Sequence, residues 1–204
     1  MTIYTVIFNN YDSLKDPRFI DPDVRYVCYS NTPQVSDVWE IIHVDMTEVK
    51  DQRKLKILQY QDLDDWTVYI DASIEIKASV YSFAYQWEED FTVLQHRGRN
   101  CIYTEADAVL SLEKDSSEVV QKQMQKYMDE NFPRQVGMIQ TGLLMRRRNK
   151  KIDKFCNAWW REVKNHSKRD QLSFNYIAWK QRKDYDIVPF TTFEQCFRLH
   201  GHGS

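Results

Sequence analysis

The chain has 204 residues, of which 42% are hydrophobic and 28% charged, values that favour one globular domain over a disordered chain. No apolar run reaches the ~20 residues of a membrane span. The start of the chain shows no basic n-region and no small-residue cleavage site, so we do not expect a signal peptide. The 5 glycines form neither G-x-G-x-x-G nor a Walker loop, so phosphate would have to be held by other groups. Four cysteines without metal-binding spacing predict free thiols and a cytoplasmic location.

The net charge of −2 conceals a separation of charge along the chain. Residues 1–133 carry 13 Lys and Arg against 24 Asp and Glu, a balance of −11, whereas residues 134–183 carry 14 against 3, a balance of +11. So basic a segment can attract a polyanion such as nucleic acid or a diphosphate. It is equally compatible with a solvated face whose cations balance the acidic part of the fold.

Apolar periodicity predicts strands that alternate with helices. In chain order, the predicted elements are strands 3–8, 24–30 and 39–44, helix 47–60, strand 66–70, helix 79–88, strand 91–95, helix 117–131, strand 138–145, helices 150–165 and 167–183, and strand 185–188. Thr47 is the predicted N-cap of the first helix. The order predicts a single α/β domain over residues 1–204, with a mainly parallel sheet flanked by helices. Since ligands of such sheets bind beyond the carboxyl ends of the strands, the residues that follow strands are the candidates for a site.

A carboxylate follows the hydrophobic strand 66–70. Asp71 at this point can hold Mg²⁺ or Mn²⁺ and, through the metal, a diphosphate. The segment resembles the metal-binding D-x-D of nucleotide-sugar transferases with the GT-A fold, although Ser73 replaces the second acid. The alternative is an aspartate that caps a turn.

Several segments of the chain resemble a single family. They are Tyr26–Asn31, Arg53 with the K-I-L of residues 56–58, Tyr69–Ile74, the H-x-x-R-x-C-x-Y-x-E-A of residues 96–106 and the R-D-Q-L-S-F of residues 169–174. These segments resemble the glycosyltransferase-like domain family of plants and bacteria that is named after turgor-regulation and mucilage proteins. The resemblance implies a GT-A (Rossmann-type) fold and transfer of a sugar from a nucleotide donor. Where the family has Pro-His after K-I-L, this chain has Gln59-Tyr60, so no role is carried over for that histidine.

The same resemblance implies catalytic roles. Asp170-Gln171 is similar to the Asp-Gln pair at the sugar pocket of retaining GT-A enzymes, which implies that Asp170 binds sugar hydroxyls, that Gln171 lies near the anomeric carbon and that configuration is retained. Arg169 and Glu105 complete the expected catalytic set. The alternative for Asp170 is a capping box with Ser167. The alternatives for Glu105 are a structural ion pair and the first turn of a helix capped by Thr104.

Other residues are expected to bind the substrates and the metal. The leaving diphosphate gains negative charge in the reaction, so cations must lie near it. Arg53 and Lys56 are candidates because they lie three residues apart on one helix face, and the alternative is that they lie on a solvated helix surface. Arg146 is a further candidate. The expected donor-binding residues are Asn10, Tyr11, Asp12, Asn31, Arg53, Lys56, Asp71 and Ser73. The expected acceptor-binding residues are His96, Arg99, Arg146 and Arg148. The expected ligands of Mn²⁺ or Mg²⁺ are Asp71, His200 and His202, and the alternative for the two histidines is a frayed chain end.

We therefore expect a metal-assisted glycosyltransferase that uses a UDP-sugar. One candidate acceptor is a hydroxymethylated base in phage DNA, flipped from the duplex while residues 146–151 contact phosphates; polysaccharide and lipid-linked acceptors are the alternatives. A different function, favoured by the incomplete D-x-S motif, is a non-catalytic nucleotide or nucleic-acid binding module that has lost its metal.

Overall fold

The computed structural model describes residues 1–201. The strands are β1 (Thr2–Ile7), β2 (Arg25–Ser30), β3 (Glu40–His43), β4 (Trp66–Ile70), β5 (Ile74–Ile76), β6 (Phe91–Gln95), β7 (Ile139–Arg147), β8 (Asp186–Val188) and β9 (Phe197–Leu199). The helices are α1 (Val49–Leu58), α2 (Val80–Ala84), α3 (Ile102–Ser111), α4 (Ser117–Asp129), α5 (Lys150–Asn165), α6 (Gln171–Gln181) and α7 (Phe190–Cys196), and a 3₁₀ turn (Gln59–Asp62) follows α1. None of these helices is long and apolar enough to cross a membrane.

Seven strands form one sheet in the order β3-β2-β1-β4-β7-β6-β8. The pairs β1-β2, β1-β4, β2-β3 and β6-β8 are parallel, while β7 runs antiparallel to both β4 and β6. The prediction of an α/β fold with a mainly parallel central sheet flanked by helices is confirmed. Because β7 is reversed, β1, β2, β4 and β6 all end at one edge of the sheet, which we call the C-terminal edge, and β7 begins there.

Both faces of the sheet are covered, which explains why its central strands are apolar on both sides. Side chains alternate along a strand, so Tyr4 and Tyr69 join a core cluster with α5 residues such as Trp159. Their neighbours Ile3 and Val68 join a second cluster on the opposite face, together with residues of α2 and α7. The four cysteines are buried free thiols, as predicted.

Some predicted boundaries are wrong. Helix α1 begins at Val49, with Glu48 rather than Thr47 at the N-cap position and no side-chain cap. Helix α6 begins at Gln171 instead of residue 167, because the Ser167 hydroxyl accepts the Arg169 N–H at 3.0 Å and holds a turn before the helix. Helix α3 was not among the predicted elements, although a helix near Thr104 was an alternative for Glu105. The sequence analysis also missed α7 and the pairing of β9 with β5, which brings the end of the described chain beside Ser73.

Candidate active site

A cavity of about 500 Å³ opens at the C-terminal edge of the sheet, where β1 and β4 end. Its wall comes from the residues after these two strands, from helix α1, from the start of β7 and from the residues around the start of α6. The predicted residues that it brings together are Tyr11, Asp12, Arg53, Lys56, Asp71, Arg169, Asp170 and Gln171. These predicted residues come from four separate segments of the chain, which meet at the place where ligands of parallel α/β sheets bind.

A buried lysine connects two carboxylates of the cavity. Lys56 is 2% exposed, and its Nζ lies 3.0 Å from Asp170 Oδ2 and 3.4 Å from Asp71 Oδ1. The same ammonium donates a hydrogen bond to Thr141 Oγ1 at 3.0 Å. A buried ammonium is costly unless it is paired and hydrogen-bonded, so the two acids and Lys56 stabilise one another in a single arrangement.

Asp170 is a buried acid of the cavity that lies close to two cations. Its side chain is 4% exposed, and Arg53 Nε lies 3.6 Å from Oδ1. Burial raises the pKa of Asp170, but the charges of Lys56 and Arg53 outweigh burial and hold the pKa well below its ordinary value. Asp170 occupies the N-cap position of α6 and makes no side-chain cap bond, so the capping-box alternative with Ser167 is wrong.

Asp71 is anchored and remains open to the cavity. Its Oδ1 accepts a hydrogen bond from Tyr69 Oη at 2.7 Å, and its backbone N–H donates to the Gly142 carbonyl at 2.9 Å. Burial, followed by the charge of Asp71, raises the pKa of Tyr69 well above its usual value and keeps this hydroxyl a donor. A Cβ at Gly142 would lie 3.1 Å from Asp71 Oδ2, so glycine at this position leaves room for the carboxylate.

The direction of β7 changes which of its residues belong to the site. Arg146 lies opposite Thr67 near the start of β4, away from the C-terminal edge. It is fully buried, where it donates to the Ile57 carbonyl at 2.9 Å and to Tyr4 Oη. We therefore correct its expected diphosphate and acceptor roles to a structural one. Arg148, just beyond the same strand end, has its Nε 3.6 Å from Asp153 Oδ2 and does not line the cavity.

The reversal of β7 also explains what the sequence analysis missed. Thr141 and Gly142, near the start of β7, lie beside Lys56 and Asp71. The alternation of apolar residues that marks a strand carries no information on its direction, so no signal in the sequence distinguished these residues from the end of β7. Lys114, on the loop after α3, is a further cavity residue that the sequence analysis did not select.

The loop after β1 is held by asparagines. Asn9 and Asn10 have φ angles of 56° and 51°, a left-handed conformation that asparagine adopts more readily than most residues. Asn31 accepts from the Asn9 N–H at 2.8 Å and donates to Asn9 Oδ1 at 2.9 Å, so it supports a cavity residue without lining the cavity. Asn10 accepts a hydrogen bond from Gln34 at 3.3 Å. Tyr11, 62% exposed, lies on the cavity wall.

The predicted acceptor cluster lies outside the cavity wall. His96 follows β6 at the C-terminal edge, and its Nε2 lies 3.5 Å from the buried Glu105. Arg99 pairs with the same carboxylate, and its backbone N–H donates to His96 Nδ1 at 3.0 Å. The helix containing Glu105 has Cys101, not Thr104, at its N-cap. These contacts support the structural ion-pair alternative.

Of the expected metal ligands in the described residues, Asp71 lies on the cavity wall. His200 does not line the cavity: its Nε2 lies 2.9 Å from Glu75 Oε2. The His200 backbone N–H donates to the carbonyl of the buried Ser73. His202 lies outside the described residues. Within residues 1–201, no three His, Cys, Asp or Glu side chains converge as a metal site. Asp71 is the residue of the expected set that could hold Mg²⁺ or Mn²⁺, with substrate phosphates as the further ligands.

The basic segment pairs in part with the acidic part of the chain. Lys180 lies 2.6 Å from Glu130, Lys183 lies 3.8 Å from Glu89, and Lys168 lies 4.0 Å from Asp115. These pairs support the alternative that the segregated charges balance each other in space.

Residues 27–200 match a family model described as "TOD1/MUCI70, glycosyltransferase-like domain". The chain belongs to this family. The predicted family and the predicted class of enzyme, a glycosyltransferase, are thereby confirmed. No curated protein sequence matches the chain.

Solved structures share the fold. The apo crystal structure of mouse xyloside xylosyltransferase 1 matches with a TM-score of 0.54 and 7% identity, over 91% of this chain and 84% of that one. The apo structure of the bifunctional glycosyltransferase WbbM matches with a TM-score of 0.55 and 11% identity, over 92% of this chain and 38% of that one. At these identities the likeness shows the fold and no more.

Proposed function

We propose that the cavity binds a nucleotide-sugar, with a UDP-sugar as the expected donor, and that the protein transfers the sugar with the help of a divalent metal ion at Asp71. The observation that carries this proposal is the convergence of Asp71 and Asp170-Gln171 on one cavity at the C-terminal edge. The confirmed family supports the reaction class. The proposal names no acceptor, because Arg146, one of the five residues expected to contact DNA phosphates, is buried away from the site.

The expected chemistry follows from the charges in the cavity. Transfer breaks the bond between the anomeric carbon and the leaving diphosphate, and positive charge develops on the sugar. Asp170 stays ionised because Lys56 and Arg53 hold its pKa low, so it can accept hydrogen bonds from sugar hydroxyls and stabilise that positive charge. A metal ion held by Asp71 would neutralise charge on the leaving diphosphate.

Two finer features belong to the same proposal. Gln171 borders the cavity directly after Asp170, and we propose that it faces the anomeric carbon and that configuration is retained. We also propose that Tyr11, which is exposed on the cavity wall, stacks on the nucleotide base. The buried free cysteines support a cytoplasmic location as part of the proposal.

A thermal-shift panel of nucleotide-sugars tests the proposal, because a ligand that binds the folded state raises the melting temperature. We expect a UDP-sugar to raise the melting temperature, Mn²⁺ to raise it further, and Asp71→Ala to lose the increment that depends on the metal. If no nucleotide-sugar at millimolar concentration shifts the melting temperature of the unaltered protein, the proposed function is wrong.

One observation favours the second candidate, a non-catalytic binding module. Asp71 already accepts a hydrogen bond from Tyr69 and lies 3.4 Å from Lys56, so its carboxylate has partners without a metal ion. Product analysis separates the two functions. A module of this kind would bind a nucleotide-sugar yet release no sugar over several hours with Mn²⁺, and Asp71→Ala would bind the donor as tightly.

A further inference from the structure

The cations on the cavity wall fall into two groups. Arg53 and Lys56 are committed to acids of the site, since both contact Asp170 and Lys56 also contacts Asp71. Lys114 and Arg169 line the same cavity, and within residues 1–201 neither side chain forms a hydrogen bond or an ion pair. Arg53 and Lys56 already neutralise Asp170 and Asp71, so less of their charge is available to a further anion than is the charge of Lys114 and Arg169.

The backbone at Lys114 is fixed by the way α3 ends. Glu113 adopts a left-handed φ of 51°, its N–H donates to the Leu110 carbonyl at 3.0 Å, and the Lys114 N–H donates to the Val109 carbonyl at 2.9 Å. This pair of bonds is a Schellman motif. Lys114 therefore leaves the helix end in a defined direction.

A side-chain bridge holds this loop against the residues before α6. Asp115 Oδ2 accepts a hydrogen bond from Ser167 Oγ at 2.6 Å and another from the Lys168 N–H at 2.9 Å. Lys114 immediately precedes the first partner of this bridge, and Arg169 immediately follows the last. The bridge thus keeps both uncommitted cations on the same part of the cavity wall.

We propose that Lys114 and Arg169 bind the diphosphate of the nucleotide donor, and that Arg53 and Lys56 position Asp170 and Asp71 instead. The inference rests on the proposed function and replaces both the catalytic role expected for Arg169 and the diphosphate role expected for Arg53 and Lys56. Cations with free N–H groups form the strong, charge-assisted hydrogen bonds that phosphate oxygens accept. Arg169 also helps to keep the pKa of Asp170 low, so its charge reaches the predicted sugar subsite.

The test compares Lys114→Ala and Arg169→Gln with Lys122→Ala, an exposed lysine of α4 outside the cavity wall. Isothermal titration measures binding of UDP, GDP, ADP, CDP and TDP, of the matching nucleosides and of inorganic pyrophosphate. For the nucleoside diphosphate that the unaltered protein binds, we expect each cavity variant to bind at least about tenfold more weakly, the loss of one charge-assisted hydrogen bond. Affinity for the nucleoside should change less than about twofold, and Lys122→Ala should bind all probes normally.

The outcomes separate this inference from the proposed function. If the unaltered protein binds a nucleoside diphosphate and both cavity variants, verified as folded by circular dichroism, bind it equally well, the inference is wrong and the proposed function stands. If the variants lose affinity for the nucleoside as strongly as for its diphosphate, the two cations do not act on phosphate, and the inference is also overturned. If the unaltered protein binds none of the nucleoside diphosphates, both fail. Weaker binding of pyrophosphate by the variants supports a charge site that acts independently of the base.

Discussion

Replacement of Lys56 by methionine removes the charge that joins the two acids of the site. Methionine keeps most of the aliphatic volume of Lys56 but leaves Asp170, 4% exposed, without its nearest cation. Removal of one partner from a buried ion pair costs ~3–5 kcal/mol. Since Arg53 stays 3.6 Å from Asp170, we expect the lower end, ~3 kcal/mol. For a domain of this size this corresponds to a fall in melting temperature of roughly 6–12 °C.

The effect should depend on pH in a defined direction. In the unaltered protein the pKa of Asp170 is depressed, so its stabilising contribution is complete above the unfolded pKa of ~3.9 and is lost as pH falls through the folded value. Burial is the largest single effect on this pKa and Lys56 the largest of the charges that oppose it, so without Lys56 we expect the folded pKa of Asp170 to rise above the unfolded one. The stability of Lys56→Met should then improve as pH falls towards 4.5, so the difference between the two proteins should shrink.

Urea unfolding at pH 7.0 and pH 4.5 measures both effects, with Lys54→Met as the control because Lys54 is exposed on the same helix. Adding Asp170→Asn to Lys56→Met should recover at least ~1 kcal/mol, since the amide removes the unpaired charge. Equal stability of Lys56→Met and Lys54→Met at pH 7.0, or a difference that does not depend on pH, would refute the reasoning.

Three further changes test the surroundings of the site through stability and the rate of sugar release. Asp71→Asn should lower the rate of sugar release at least tenfold, and an unchanged rate would contradict the proposed role of Asp71 as a metal ligand. The same change should lower the unfolding free energy by no more than ~1 kcal/mol, because the Asp71 side chain is partly exposed. Gly142→Ala should displace the Asp71 carboxylate and lower the rate of sugar release, whereas Gly98→Ala, whose Cβ meets nothing within 4 Å, should leave the rate unchanged. Equal rates for these two variants would show that position 142 does not need glycine. His200→Ala should leave the rate within about twofold, since His200 contacts Glu75; a tenfold loss would indicate a metal ligand.

The fold was largely predictable because its strands and helices have strong apolar patterns. Helix α5 and strand β6 have the predicted bounds, Lys150–Asn165 and Phe91–Gln95. The short elements β5, β9 and α7 were missed, since three to seven residues are too few for a periodic signal.

The site was predictable where a residue type and a strand end coincide. Asp71 follows β4, and Asp170-Gln171 opens α6 within a recognisable motif, and all three residues line the cavity. What the sequence did not show is which cations are already paired. The acidic partners of Lys56 and Arg53 lie 15 or more positions away in the chain, and the bridge of Asp115 joins segments more than 50 residues apart.

The central claim is that this cavity is where a nucleotide-sugar reacts. The most direct measurement is the release of sugar from the nucleotide-sugar that stabilises the protein most, followed by mass spectrometry for the unaltered protein and for Asp170→Asn, which keeps the shape of the side chain. The account predicts release by the unaltered protein and a rate at least a hundredfold lower for the folded variant. Equal rates for the two proteins would contradict it.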